Sequence, residues 1–451
     1  MDEPSNLIAW RRLWPALLVL SVLALLPVGQ AFEAPLAIAA ALGLIFAWRM
    51  RDALSEDPGV RLAIMLFACY WLAALISAPA AIAPDKTWST VAASLRFLPF
   101  VLFAVLLLRD PAAWPQIECA VAAVVVLWLL DAWVQIFTGY SIAGATEAER
   151  LSGIFGAGNL KLGPVLAVLS PFVLAAARDR YAGRGLVVAA VFLLMPILLA
   201  GSRAAWLMYA LVIAVFLWQQ TRAPLRFAAW GLAALIVIGL AAWSADRDSP
   251  AFAARVQRTL LMLRGTPAAV DEASAGRLRI WSTAGRMTAA HPVTGVGVRG
   301  FRYAYPRYAK AGDSFVDAKG NEGAMHAHQL ALEVLSETGF IGLLLWITGA
   351  FAAIRAWRRA DANARRRAFA PGLALAVMCF PLNTHLAFYS AWWGSLFWWL
   401  LALYVTAIQK AAAEGRPTPL ARAAGEGGTA REASGGVRGT PPPLVEYRRE
   451  T

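Results

Sequence analysis

Charge is scarce in this chain, and most of what is charged is basic. Only 15% of its 451 residues are Asp, Glu, Lys or Arg, while 59% are hydrophobic. That balance excludes an ordinary soluble domain and points to an integral membrane protein. Cysteine is also rare: Cys69, Cys119 and Cys379 are scattered through apolar runs, which excludes a disulfide framework and a cysteine metal site. Histidine occurs four times, and no two histidines stand at the one-turn spacing of helical zinc motifs. No internal repeat marks a duplicated transporter half.

Apolar runs are what the chain has in abundance. Crossing a hydrocarbon core of roughly 30 Å takes about 20 apolar residues in a helix. About twelve runs qualify: Leu13 to Val28, Pro35 to Trp48, Val60 to Ile76, Trp88 to Leu108, Trp114 to Phe137, Leu162 to Ala177, Gly185 to Ala200, Ala204 to Trp218, Phe227 to Trp243, Leu330 to Ile354, Phe369 to Leu382 and Ser390 to Ile408. The expected fold is an all-α integral membrane protein. Residues 1–243 form its first membrane block, 244–329 a long outward loop domain, 330–409 a second membrane block and 410–451 a disordered cytoplasmic tail.

Arginine sets the expected orientation. One set of connections carries Arg11 and Arg12, Arg49 to Arg61, Arg109, Arg178 to Arg184, Arg222 and Arg226, and six arginines between Arg355 and Arg367. The short connections on the other side carry only Lys86, Arg150, Lys161 and Arg203. By the positive-inside rule both chain ends are cytoplasmic. The net charge of +13 is therefore topology, and no nucleic-acid partner is expected.

The outward loop is too long and too patterned to be a passive connection. Its "SPAFAARVQRTLLMLRG" reads as a basic amphipathic segment at the membrane interface, and "SAGRLRIWSTAGRMTAAHP" as a helix ended by Pro292. "GFRYAYPRY" interleaves Tyr303 and Tyr305 with Arg302, which serves either packing of the loop or stacking on sugar rings.

Arg150, Lys161, Arg203, Arg277 and the His326/His328 pair all fall at outward helix mouths. Each cation alone is explained by snorkelling to headgroups. Together they fit a phosphate group held at the membrane surface, because a guanidinium fork matches phosphate oxygens. Deeper in the chain, Arg96 and Asp131 fall inside apolar runs, where they pair with each other or Arg96 reaches the phosphate site. An imidazole at the mouth serves packing, or acts as a base that titrates near neutrality.

The ordered strings "GSRAA", "GRLRIW", "HPVTGVGVRGF" and "HQLALEVLSETGFIG" resemble the O-antigen ligase and polymerase superfamily across roughly Arg150 to Gly342. That resemblance implies a metal-independent, GT-C-like glycosyltransferase of the Gram-negative inner membrane, with its active site facing the periplasm and no cofactor. The implied donor is an undecaprenyl-diphosphate-linked O-antigen, and the implied acceptor is lipid A-core. On the matched positions His328 is the catalytic histidine. Arg203 and Arg277 are the diphosphate-binding arginines, with Arg150 and Lys161 beside them. His326 and Arg96 are auxiliary, and Tyr303, Tyr305 and Arg302 are candidates for acceptor or glycan contact. Gln329 stands where the family frequently has Asn or Ser. An O-antigen polymerase and a protein O-oligosaccharyltransferase share the donor, and a lipid-linked oligosaccharide flippase is the alternative of another class.

Overall fold

The computed structural model describes residues 5–409, apart from 55, 146–149, 385–386 and much of 249–273. The basic amphipathic segment and the C-terminal tail therefore lie largely or wholly outside the described residues. The elements are helical except for a two-residue hairpin, Tyr140–Ser141 with Gly144–Ala145.

The first membrane block runs α1 (Ser5–Ala24), α2 (Glu33–Arg49), α3 (Pro58–Ser77), α4 (Pro84–Ser94), α5 (Phe97–Leu107), α6 (Trp114–Thr138), α7 (Leu162–Leu199), α8 (Arg203–Thr221) and α9 (Pro224–Asp248). Then come α10 (Arg277–Ala290) and α11 (Phe301–Tyr308) of the loop, and α12 (Leu330–Arg359), α13 (Phe369–Met378) and α14 (Ala391–Ala407). Seven helical stretches among the described residues are long and apolar enough to cross a membrane, and three shorter ones are apolar. Large apolar side chains face outward on many of them, such as Phe137, Leu225 and Leu344. Such a surface is stable against lipid and not against water.

The expected spans take a different form at two places. The runs Leu162 to Ala177 and Gly185 to Ala200 are joined without a loop, through Ala182 at φ 54 and ψ −144. A straight helix of this length would extend well over 50 Å. Yet a Cβ on Gly163 would lie 2.9 Å from Ala200 Cβ, so α7 folds back on itself as two antiparallel arms. The span near Trp88 to Leu108 is likewise two helices, α4 and α5, and Arg96 sits at their junction rather than inside a helix. Its guanidinium donates to Ala93 O at 2.8 Å and to Glu33 Oε1 at 2.9 Å. Asp131 instead accepts the Ile142 amide at 2.8 Å. The expected Arg96–Asp131 pair is thus replaced by separate partners: Glu33 and a main-chain carbonyl for Arg96, and a main-chain amide for Asp131.

The main core gathers the membrane helices around rings such as Phe97, Phe100, Phe172, Trp398 and Trp399. A second, smaller core belongs to the loop: Ile280, Ala284 and Met287 of α10 meet Phe301, Ala304 and Tyr305 of α11, with Val296 and Ala327. Residues 274–329 thus carry a packed unit of their own, built on amphipathic helices.

Candidate functional site

The site forms where that loop unit meets the start of α12. Pro292 to Gly297 makes a glycine-rich turn, and α12 opens at Gly339 (φ 65, ψ −166) to receive it. Val296 N–H donates to Ser336 O at 2.9 Å, Gly297 N–H to Glu337 O at 3.0 Å, and Phe340 N–H to Pro292 O at 2.8 Å. The helix break thus exchanges internal hydrogen bonds for bonds to the turn. A Cβ on Gly295 would lie 2.4 Å from the Glu337 carbonyl carbon, and one on Gly339 would lie 2.2 Å from Val293 O. Only glycine allows this approach. The far side of the turn is fastened to the membrane block by Ile82 N–H on Val296 O at 3.0 Å and by the Thr87 hydroxyl on Val298 O at 3.0 Å.

His328 stands just before α12 at φ 53, left-handed backbone that costs a residue with a Cβ about 1–2 kcal/mol. Such strain persists only where the surroundings enforce it. Gln329 enforces it in part: its side-chain oxygen caps α12 by accepting the Leu332 amide at 2.5 Å. The residue that departs from the family pattern therefore still does a cap's work. Trp281 of α10 holds the same segment, donating from its indole to Ala327 O at 3.1 Å.

The His328 ring lies with Nδ1 2.7 Å from Thr384 O. A carbonyl only accepts, so Nδ1 carries the proton and Nε2 keeps the lone pair. Burial, with the charge of Arg277 also acting, lowers the His328 pKa below its ordinary 6.5, against an opposing rise from the Thr384 bond. The ring is therefore neutral and basic at neutral pH. His326 lies beside it, with ring centroids 3.9 Å apart.

Arg277 opens α10 after Gly276, whose φ of 75 turns the chain into the helix. Its pKa falls to about 10, mainly from burial and then from the nearby Arg203. Arg203 opens α8 behind the Ser202 cap. Two guanidiniums and an imidazole from three distant parts of the chain thus share one neighbourhood, and a multivalent anion is its chemical complement.

The other predicted residues divide. Leu151 N–H donates to Leu199 O at 3.3 Å, which brings the Arg150 segment to the end of α7 beside Arg203. Gly163 packs against Ala200, Ser202 and Ala205, so Lys161 belongs to the same end of the bundle. Burial lowers the Lys161 pKa, and its Nζ lies 4.6 Å from the centre of the Trp392 ring. Arg302 is already paired with Glu322. Tyr303 is half-buried.

Tyr305 does not join the expected sugar-facing wall. It is 0% exposed within the loop core and donates to Asp313 Oδ2 at 3.0 Å. Its neighbours on α11 alternate between core and surface by helical geometry, and position 305 falls on the inner face. Arg96 is paired with Glu33.

Sequence reasoning passed over Arg299, Glu333 and Glu337. Arg299 lies at φ 60 between Val298 and Gly300, and its amide donates to Glu337 Oε2 at 2.9 Å. Glu333 and Glu337 are 0% and 1% exposed. Two acidic residues one turn apart near the N-terminal end of an apolar helix were the available signal.

Residues 188–347 match the family model described as O-antigen ligase. The match covers about a third of the chain and includes Arg203, Arg277 and His328, while Arg96, Arg150 and Lys161 lie outside it. No curated protein matches the chain.

Proposed function

From a multi-pass membrane protein that carries an O-antigen ligase family domain, a family of glycosyltransferase-type enzymes, we propose one specific activity. The chain transfers O-antigen polysaccharide from undecaprenyl diphosphate to a sugar hydroxyl of lipid A-core. The reaction takes place at the periplasmic face of the inner membrane. The observation that carries this reading is the joint neighbourhood of Arg203, Arg277 and a neutral His328 whose Nδ1 is committed to Thr384 O.

The chemistry is a single displacement. The acceptor oxygen attacks the anomeric carbon of the donor sugar. As that C–O bond forms, the bond from the anomeric carbon to the diphosphate oxygen breaks with its electron pair, and the configuration inverts. His328 Nε2 removes the acceptor proton, which matches a base whose pKa lies near or below operating pH. Arg203 and Arg277 meet the charge that grows on the departing lipid diphosphate, assisted by Lys161 and Arg150. Their burial in part excludes water, which strengthens that interaction.

The test is reconstitution with undecaprenyl-diphosphate glycan and lipid A-core, with and without a chelator. Wild type transfers glycan to the core in both conditions. His328→Ala abolishes transfer and still binds donor; undiminished transfer by that variant would refute the base role. A polymerase would instead lengthen the lipid-linked glycan and leave the core bare.

A further inference from the structure

Helix α10 reaches the base from two points one turn apart. The charge of Arg277 bears on His328, and Trp281, four positions later, donates from its indole to Ala327 O at 3.1 Å. Residues four apart lie on one face of a helix, about 6 Å along its axis. The helix that supplies a cation for the diphosphate therefore also holds the residue next to the base. The Ala327 carbonyl and the His328 N–H belong to one peptide plane, so the indole fixes that plane directly, with no intervening chain.

The base is anchored from several sides. Trp281 holds the plane before it, Thr384 O takes the proton of its Nδ1, and the Gln329 side chain caps α12 immediately after it. Between the first and the last of these, His328 keeps φ 53, a conformation that persists only while both sides are held. Ala327 is also 0% exposed, in the same loop core as Ile280, Ala284 and Met287 of α10. Apolar packing of a methyl group is non-directional and tolerates sliding, whereas a hydrogen bond is specific in distance and angle. The indole N–H thus adds a directional contact between α10 and the residue before His328.

We propose that Trp281 is a positioning residue: its indole bond sets the spacing between Arg277, which meets the leaving diphosphate, and His328, which takes the acceptor proton. This role rests on the base role assigned to His328. In the displacement the attacking oxygen, the anomeric carbon and the leaving oxygen lie in line, so base and cation act at opposite ends of one axis. A misplacement of about 1 Å between such groups costs up to about 10²-fold in rate. Donor affinity does not follow, because Arg203 stands on α8, and α10 keeps its packing through Ile280, Ala284 and Met287.

The experiment replaces Trp281 by β-(3-benzothienyl)alanine, which keeps the ring shape and has sulfur in place of the indole N–H. This isostere is compared with Trp281→Phe and His328→Ala in proteoliposomes, each normalised to folded protein by size-exclusion chromatography. The isostere is expected to lower kcat by about 10-fold or more, with KM for the lipid-linked donor within about 2-fold of wild type. Trp281→Phe, which also lacks the N–H, is expected to lose at least as much kcat at the same donor KM. A kcat within about 2-fold of wild type for the isostere, with His328→Ala inactive, would overturn the positioning role and leave the base role intact. A donor KM raised in step with the fall in kcat would overturn it in favour of a tryptophan that merely supports the fold around Arg277. An active His328→Ala would remove the base role itself.

Discussion

Arg277 is held charged in a place that disfavours charge, and replacing it by glutamine should raise stability while it destroys binding. Its pKa falls from the ordinary 12.5 to about 10. At about 1.4 kcal/mol per tenfold change in proton affinity, the charged form is disfavoured by about 3 kcal/mol in the empty site. The sign is that of a base depressed by folding: the cost is fully present at every pH below about 10, and it is relieved only as pH rises from there towards 12.5. Neutral pH is therefore where the penalty is complete. Arg277→Gln removes it, less whatever bonding the guanidinium retains, so a gain of about 1–2 kcal/mol is expected. A bound diphosphate reverses the balance for the wild type, because it supplies the missing opposite charge. Thermal unfolding in nanodiscs, with and without a lipid-diphosphate glycan, measures both halves. Without donor the variant should melt higher than wild type. With donor at 100 times the wild-type Kd, the wild type should gain about 2.7 kcal/mol and the variant little. A variant that melts lower without donor, yet is stabilised by donor as strongly as wild type, would refute this reading of Arg277.

The pH dependence of transfer should follow His328. Its lowered pKa places the acid limb of kcat/KM below pH 6.5, and a limb centred above 6.5 would contradict the burial argument. Gly295→Ala should cost more than the about 1–2 kcal/mol of left-handed backbone, because its Cβ would press on the Glu337 main chain at 2.4 Å. Gly312→Ala, at φ 75 with no atom within 4 Å of the new Cβ, should cost the conformational part alone, and folded yield in detergent compares the two. Tyr305→Phe should lower stability by about 1 kcal/mol through loss of its bond to Asp313, with donor and acceptor KM unchanged. A raised acceptor KM in that variant would return Tyr305 to the glycan surface.

Hydropathy located the apolar helices, seven of which among the described residues are long enough to cross a membrane, because a spanning helix must be apolar along its length whatever its neighbours are. It divided residues 162–200 into two helices, and the fold-back that brings Gly163 against Ala200 agrees with that division. The motif order from Arg203 to Gly342 carried the likeness to the O-antigen ligase family, and the family match at 188–347 agrees.

Pairing was left to the tertiary structure. Arg96 and Asp131 looked like partners because both are charged and both lie in apolar runs, but charge sign says nothing of reach, and Glu33 and the Ile142 amide were nearer. Tyr305 is a tyrosine like Tyr303, and only the docking face of α11 decides that its ring goes inward. The proton position on His328 depends on Thr384, 56 residues away in sequence. Glu333 and Glu337 find their partners in the amides of Phe388 and Arg299. Local sequence determined which segments become helices, because that choice is made by neighbours along the chain. Which polar groups meet was decided by the packing of those helices, because a hydrogen bond is specific to within tenths of an ångström and the partners lie far apart in the chain.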